Sequence, residues 1–125
     1  MKKDLDTLGL LSQVIYDKKG FNILGLDVRG VSSMTDYFLI AEGNIDRHVR
    51  AIAKEVIDVM KSEHMHLLHV DGMDGGDWVV LDYLNIIIHL FVPELRDRYR
   101  LEELWKKSRI ISLNIDISHN GNPNK

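Results

Sequence analysis

Residues 37–61 read Tyr-Phe-Leu-Ile-Ala-Glu-Gly-Asn-Ile-Asp-Arg-His-Val-Arg-Ala-Ile-Ala-Lys-Glu-Val-Ile-Asp-Val-Met-Lys, and a change of period inside this stretch decides the fold. Tyr37–Ala41 is an unbroken apolar run, the pattern of a strand buried on both faces. From Ile45 onward the apolar residues fall at helical spacing: Ile45, Val49, Ile52, Ala53, Val56 and Met60. Asp46, Arg47, Arg50, Lys54, Asp58 and Lys61 fill the wet side. Asn44 or Asp46 is expected to cap this helix. A buried strand feeding a long amphipathic helix implies an α/β architecture.

The flanking segments extend the pattern. Leu5, Leu8, Leu11 and Ile15, widened by Leu10 and Val14, make an earlier helical stripe. Asp4 suits its start, Lys18-Lys19 its negative end and Gly20 its stop. Phe21–Val28 is apolar on both faces and reads as a buried strand, closed by a turn at Arg29-Gly30. Beyond the long helix come Leu67–Val70, an acidic loop at Asp71–Asp77, and Trp78–Tyr83. A two-residue turn at Leu84-Asn85 joins these to Ile86–Val92 as a hairpin. Pro93 opens a closing helix through about Lys107. The expected fold is a single α/β domain, a mixed sheet of about five strands flanked by helices. Ile111, Leu113, Ile115 and Ile117 then alternate with polar residues. Such a stripe needs burial, against its own domain or across a two-fold axis with a second copy.

Composition removes several functions. Cysteine is absent, so disulfides, thiolate metal sites and a cysteine nucleophile are excluded. No apolar run reaches membrane-spanning length, and the start Met1-Lys2-Lys3-Asp4 lacks the apolar core of a secretion signal. A cytoplasmic protein is expected. Sixteen Lys and Arg stand against nineteen Asp and Glu. That balance is poor equipment for gripping phosphates, so direct DNA binding is not expected. Residues 71–82 carry four Asp and no base, whereas residues 93–109 carry six bases and four acids. A protein partner with its own charge pattern suits this unevenness.

No motif for chemistry survives inspection. His64, His66 and His69 are close in sequence, but an extended chain would put His69 on the opposite face from the other two. Asp71-Gly-Met-Asp74-Gly-Gly-Asp77 has Met73 and Gly75 where a calcium loop needs oxygen ligands. The nucleotide-binding glycine loops and the nucleophile elbow are missing. Asp27 and Asp36, at neighbouring strand ends, are the one pair that could converge on Mg²⁺. No metal, cofactor or catalytic residue is therefore assigned. Trp78 is either an interface anchor or a core residue. If its strand is regular, Trp78, Val80 and Asp82 share one face, and Val79, Leu81 and Tyr83 share the core face. In the closing helix Leu101, Leu104 and Trp105 are expected in the core, and Arg96, Arg98 and Arg100 facing solvent or a partner.

Leu26-Asp27-Val28, Asp36-Tyr37-Phe38, Trp78-x-x-x-Asp82-Tyr83, His89-x-Phe91 and Arg96-x-x-Tyr99-x-Leu101-Glu102-x-Leu104-Trp105 together resemble the Iojap family of ribosomal silencing factors. The chain departs from that family's pattern at Glu42, where Ser is usual. It departs also at Leu84-Asn85, where Gly-Asp is usual, and at Asn22, where Asp is common. The resemblance implies a family domain over residues 1–108, with 109–125 as a C-terminal extension. It implies a nucleotidyltransferase-like fold without the catalytic carboxylates, and so no enzyme. The implied function is binding of a large-subunit ribosomal protein at the intersubunit face. That would block subunit joining and repress translation when nutrients are short, commonly as a homodimer. Trp78 is then the expected anchor and Asp82 its charged neighbour, joined by Arg96 and Tyr99. The rival readings are a nucleotidyltransferase-like enzyme acting on nucleotide or RNA, and a dimeric adaptor.

Overall fold

Every residue of strand β2 (Tyr37–Glu42) is buried, because it lies inside a six-stranded sheet with structure on both sides. The computed structural model describes residues 4–99, 103 and 106–117. Around β2 the chain forms α1 (Asp4–Asp17), β1 (Phe21–Asp27), α2 (Asp46–Ser62), β3 (His69–Asp71), β4 (Trp78–Asp82), β5 (Ile86–Phe91), α3 (Pro93–Tyr99) and β6 (Arg109–Ile111). The strand order is β3-β4-β5-β2-β1-β6. Only the β2–β5 pair is parallel among these neighbours. A parallel pair cannot be closed by a tight turn, so the chain must cross a face of the sheet between the two strands. The helix read from residues 45–61 makes that crossing as α2.

Two apolar layers result. On one face Leu8, Leu11 and Ile15 of α1 and Val49, Ile52, Ala53, Val56 and Met60 of α2 pack onto Leu39, Ala41, Val79, Leu81, Ile86, Ile88 and Leu90. On the other, Leu26, Val28, Phe38, Ile40, Ile87 and Phe91 form a second cluster, with Trp78, Val80 and Leu95 partly buried against it. The Tyr83 hydroxyl lies buried in the first layer without a hydrogen-bond partner among the described residues, and burial pushes its pKa up to about 12.

Several sequence expectations need correction. The mixed sheet is as read, with six strands among the described residues where about five were expected. The sixth, β6, pairs with β1 at Gly25↔Ile111, Leu26↔Ile110 and Asp27↔Arg109. The tail packs back on its own domain through Ile111 and Leu113, while Ile117 stays 60% exposed. Leu113 sits over Gly25, where a Cβ would come within 2.9 Å of Leu113 Cδ2. The Gln13 side chain clamps the tail further on, accepting from the Asp116 amide at 2.7 Å and donating to the Asp116 carbonyl at 3.0 Å. Ile110 remains 75% exposed.

The caps also differ. Ile45, not Asn44 or Asp46, takes the N-cap of α2, with no side-chain cap bond. His48 serves the junction instead: its Nδ1 accepts from the Asn44 amide at 2.9 Å, and its Nε2 lies 2.7 Å from the Lys18 carbonyl oxygen. At the end of α1 it is Lys19, at φ +71°, that turns left-handed, while Gly20 donates back to Ile15. The turn at Leu84-Asn85 is tight. Asn85 N–H donates to the Tyr83 carbonyl at 3.0 Å, and Leu84 carries φ +77°. That two-residue closure is the strained form of a γ-turn.

Leu84 is 61% exposed, so replacing it forfeits little packing. A left-handed non-glycine residue costs about 1–2 kcal/mol, against about 0.5–1 kcal/mol of extra chain entropy for glycine. Leu84→Gly is expected to raise stability by roughly 0.5–1 kcal/mol, a gain of about 2–5 °C in thermal melting. A lower melting temperature would show that the Leu84 side chain makes contacts that outweigh the strain.

Candidate docking surface

The alternation read from the sequence of β4 holds: Val79 and Leu81 are buried, and Trp78, Val80 and Asp82 are partly exposed. Register then fixes their neighbours. Trp78 lies beside Phe91, Val80 beside His89 and Asp82 beside Ile87 on β5. Across the other edge, Asp71 pairs with Val80 and His69 with Asp82. These side chains share the sheet face opposite α1 and α2.

An aromatic cluster organises the face. The Trp78 and Phe91 ring centroids are 4.8 Å apart, His89 stacks on Phe91 at 6.1 Å with planes 15° apart, and Phe38 lies 5.3 Å from His89. Trp78 Nε1–H donates to His89 Nδ1 at 3.0 Å. Because Nδ1 accepts, the neutral imidazole carries its proton on Nε2. Burial lowers the His89 pKa from 6.5 to about 4, so the ring is neutral at physiological pH. A cavity of about 300 Å³ opens beside the indole, lined by Asp71, Gly72, Trp78 and Val80. Gly72 has φ +82°, and a Cβ there would collide with the Trp78 carbonyl oxygen, so the loop presses against this strand.

Asp71 and Asp82 flank the apolar centre, and Asp74 and Asp77 lie on the loop that leads into β4. Asp82 Oδ1 accepts from the Leu84 amide at 2.8 Å, which ties one oxygen to the turn. Asp71 lies 3.8 Å from His69. The loop carrying Asp74 and Asp77 is fastened to its surroundings by hydrogen bonds. Arg50 Nη1 donates to the Gly75 carbonyl at 3.1 Å, Gly76 N–H to Gly72, and Val92 N–H to the Asp77 carbonyl. Met73 turns inward onto the core. The carboxylates of Asp71, Asp74 and Asp77 are left exposed.

The other expected site residues fall elsewhere. Arg96 is not solvent- or partner-facing; it is 8% exposed. Its Nη1 donates to the Asn22 carbonyl at 2.7 Å and lies 3.3 Å from Glu42 Oε2, which also accepts from Asn22 Nδ2 at 3.1 Å. Arg96 therefore fastens α3 to the ends of β1 and β2. Tyr99 ends α3, and its side chain lies outside the described residues. Arg100, Leu101, Leu104 and Trp105 lie outside them as well, and Arg98 is exposed.

The metal pair suggested by Asp27 and Asp36 is not assembled. Asp27 Oδ1 accepts from Arg29 Nε at 3.0 Å, and Oδ2 accepts from Arg29 Nη2 at 2.7 Å and Arg109 Nη2 at 2.9 Å. These guanidiniums, Arg29 first, hold its carboxyl well below the usual range. Sequence reasoning passed over His89 as a functional group. Its signal was a lone polar residue in Ile86-Ile-Ile-His-Leu-Phe91, on the same face as Ile87 and Phe91.

Residues 2–125 match the family described as ribosomal silencing factor during starvation. The chain is 35% identical over 102 residues to a ribosomal silencing factor of Bacillus subtilis, covering 82% of this chain and 86% of that one. It is 38% identical over 98 residues to one from Zymomonas mobilis, covering 78% and 74%. A crystal structure of a Chromobacterium violaceum protein superposes with a TM-score of 0.81 at 25% identity, covering 97% of this chain and all of that one.

The buried imidazole makes stability depend on pH. Between about pH 4 and 6.5 the unfolded chain binds a proton at residue 89 that the folded chain does not. This contribution is complete above pH 6.5 and is lost as pH falls toward 4, by on the order of 3 kcal/mol. Urea unfolding midpoints from pH 7 to 4 should fall less steeply in His89→Asn than in the wild type. Parallel curves would mean that His89 protonates freely in the folded protein.

Proposed function

The chain belongs to the ribosomal silencing factor family, and from that premise we propose that it silences translation by docking on the large ribosomal subunit. It binds a large-subunit ribosomal protein at the intersubunit face, where its bulk occupies the volume the small subunit must enter. The two binding events are mutually exclusive, so occupancy by this protein represses translation when nutrients are short. No bond is made or broken. The protein acts in the cytoplasm, as a homodimer, without a catalytic residue or cofactor.

One observation supports this reading most: a partly exposed Trp78 on an aromatic base, flanked by Asp71 and Asp82, with the exposed Asp74 and Asp77 on the loop that leads into its strand. An aromatic centre with a charged rim is the anatomy of a specific protein interface. Its acidic sign suits a basic ribosomal protein. Asp82 belongs to the rim. Arg96 acts indirectly, through the placement of α3, and Tyr99 is proposed as a contact from the end of that helix. The rival, nucleotidyl transfer on nucleotide or RNA, loses its best carboxylate, because Asp27 is committed to two arginines.

Co-sedimentation with separated subunits tests the reading. The protein should travel with the large subunit and not the small, and Trp78→Ala should weaken retention more than about tenfold, the cost of losing a 2–4 kcal/mol anchor. Because Trp78 packs on Phe91, that variant should also melt at lower temperature while remaining folded. Retention of Trp78→Ala at wild-type affinity would remove this face from the interface.

The exposed aspartates make a separate prediction. Asp74→Asn with Asp77→Asn should chiefly slow association with large subunits, and the wild-type association rate should fall as salt rises. A salt-independent rate would show that the loop does not steer docking.

A further inference from the structure

Trp78 has one hydrogen-bond donor, and that donor is spent inside the protein. Its Nε1–H points to His89 Nδ1 at 3.0 Å, with the two ring centroids 6.0 Å apart. His89 is itself held. It stacks on Phe91 and meets Phe38 at a 57° tilt, and its strand neighbours are Ile40 on β2 and Val80 on β4. A rigid ring thus fixes both the direction and the tilt of the indole at the edge of the aromatic base.

We infer that His89 is a positioning residue for docking: its Nδ1 locks the Trp78 side chain in the orientation the partner meets and leaves only the indole's apolar surface to be read. This rests on the docking role proposed for the Trp78 face. An anchor whose polar end is satisfied internally needs no acceptor on the partner, and its side-chain order is established before contact. Binding then costs less rotamer entropy than seating a mobile indole would. The partner chemistry that fits is a flat apolar or cationic group laid against the ring.

The two amides of similar polarity separate this idea from general packing. In His89→Asn the side-chain oxygen falls where Nδ1 was, whereas in His89→Gln it falls nearer the place of Nε2. Binding to isolated large subunits should stay within about threefold of wild type for His89→Asn and weaken by about 2- to 30-fold for His89→Gln, the range for residues that act through a neighbour. Tryptophan emission should shift in His89→Gln alone, read in a Trp105→Phe background so that Trp78 is the sole reporter. In a Trp78→Phe background, which has no indole donor, Asn and Gln at position 89 should bind alike, whatever each does to the melting temperature. Equal affinities of the two variants with Trp78 present would overturn the inference, as would an undiminished difference between them in the Trp78→Phe background. Failure of the docking reading is distinguishable, because Trp78→Ala would then bind as tightly as wild type.

Discussion

The parallel pairing of β2 with β5 is the constraint on which the rest of this structure depends. It forces a crossover and so requires α2. It also places β2 in the interior, where both of its faces need cover. One face obtains that cover from α1 and α2, through Leu8, Leu11 and Ile15 of the first and Val49 to Met60 of the second. On the other, Leu26, Val28, Phe38, Ile40, Ile87 and Phe91 are buried, yet toward β4 the layer thins into the partly exposed Trp78, Val80 and Asp82. The candidate site is the margin of this second layer.

Burial sorts the carboxylates into those that hold the fold and those available to a partner. Asp27 and Glu42 are enclosed and neutralised by arginines, and at the mutually buried Glu42–Arg96 pair removal of either partner would strand a charge at several kcal/mol. Asp71, Asp74 and Asp77 stand in solvent, where pairing contributes little to stability but a field reaches an approaching protein. Asp82 lies between, with one oxygen in a turn. Glu42 and Asn22, two departures from the family's sequence pattern, prove to be neighbours around Arg96. The acid that balances this arginine sits on β2, and Asn22 bridges to it.

Periodic features were legible in the sequence because period is local. The stripe at Ile52, Val56 and Met60 and the alternation from Trp78 to Asp82 each follow from their own spacing, and the structure places both as read. Partnerships were not legible, because they join residues far apart. Nothing near Arg96 signals that Asn22 and Glu42 await it, so its basic neighbours suggested an exposed face. Nothing near Ile111 announces Gly25, although the missing side chain there is what admits Leu113. His89 was passed over because a histidine in a strand says little until register puts the Trp78 indole beside it. At the start of α2 the usual capping residues flank Ile45, and a ring from the helix's own first turn satisfies the junction instead.

The sixth strand bears on the order in which the molecule is built. β4 and β5 meet through a short turn, so their pairing closes a small loop and forms early. β6 joins β1 across a sequence separation of 82 between Arg109 and Asp27, and it brings three residues of ladder. Its loop-closure entropy cannot be offset until β1 is already seated against β2. The tail is thus the last seam to close and the first to open. Amide protons of Ile110 and Ile111 are therefore expected to exchange with solvent while the centre of the sheet stays shut.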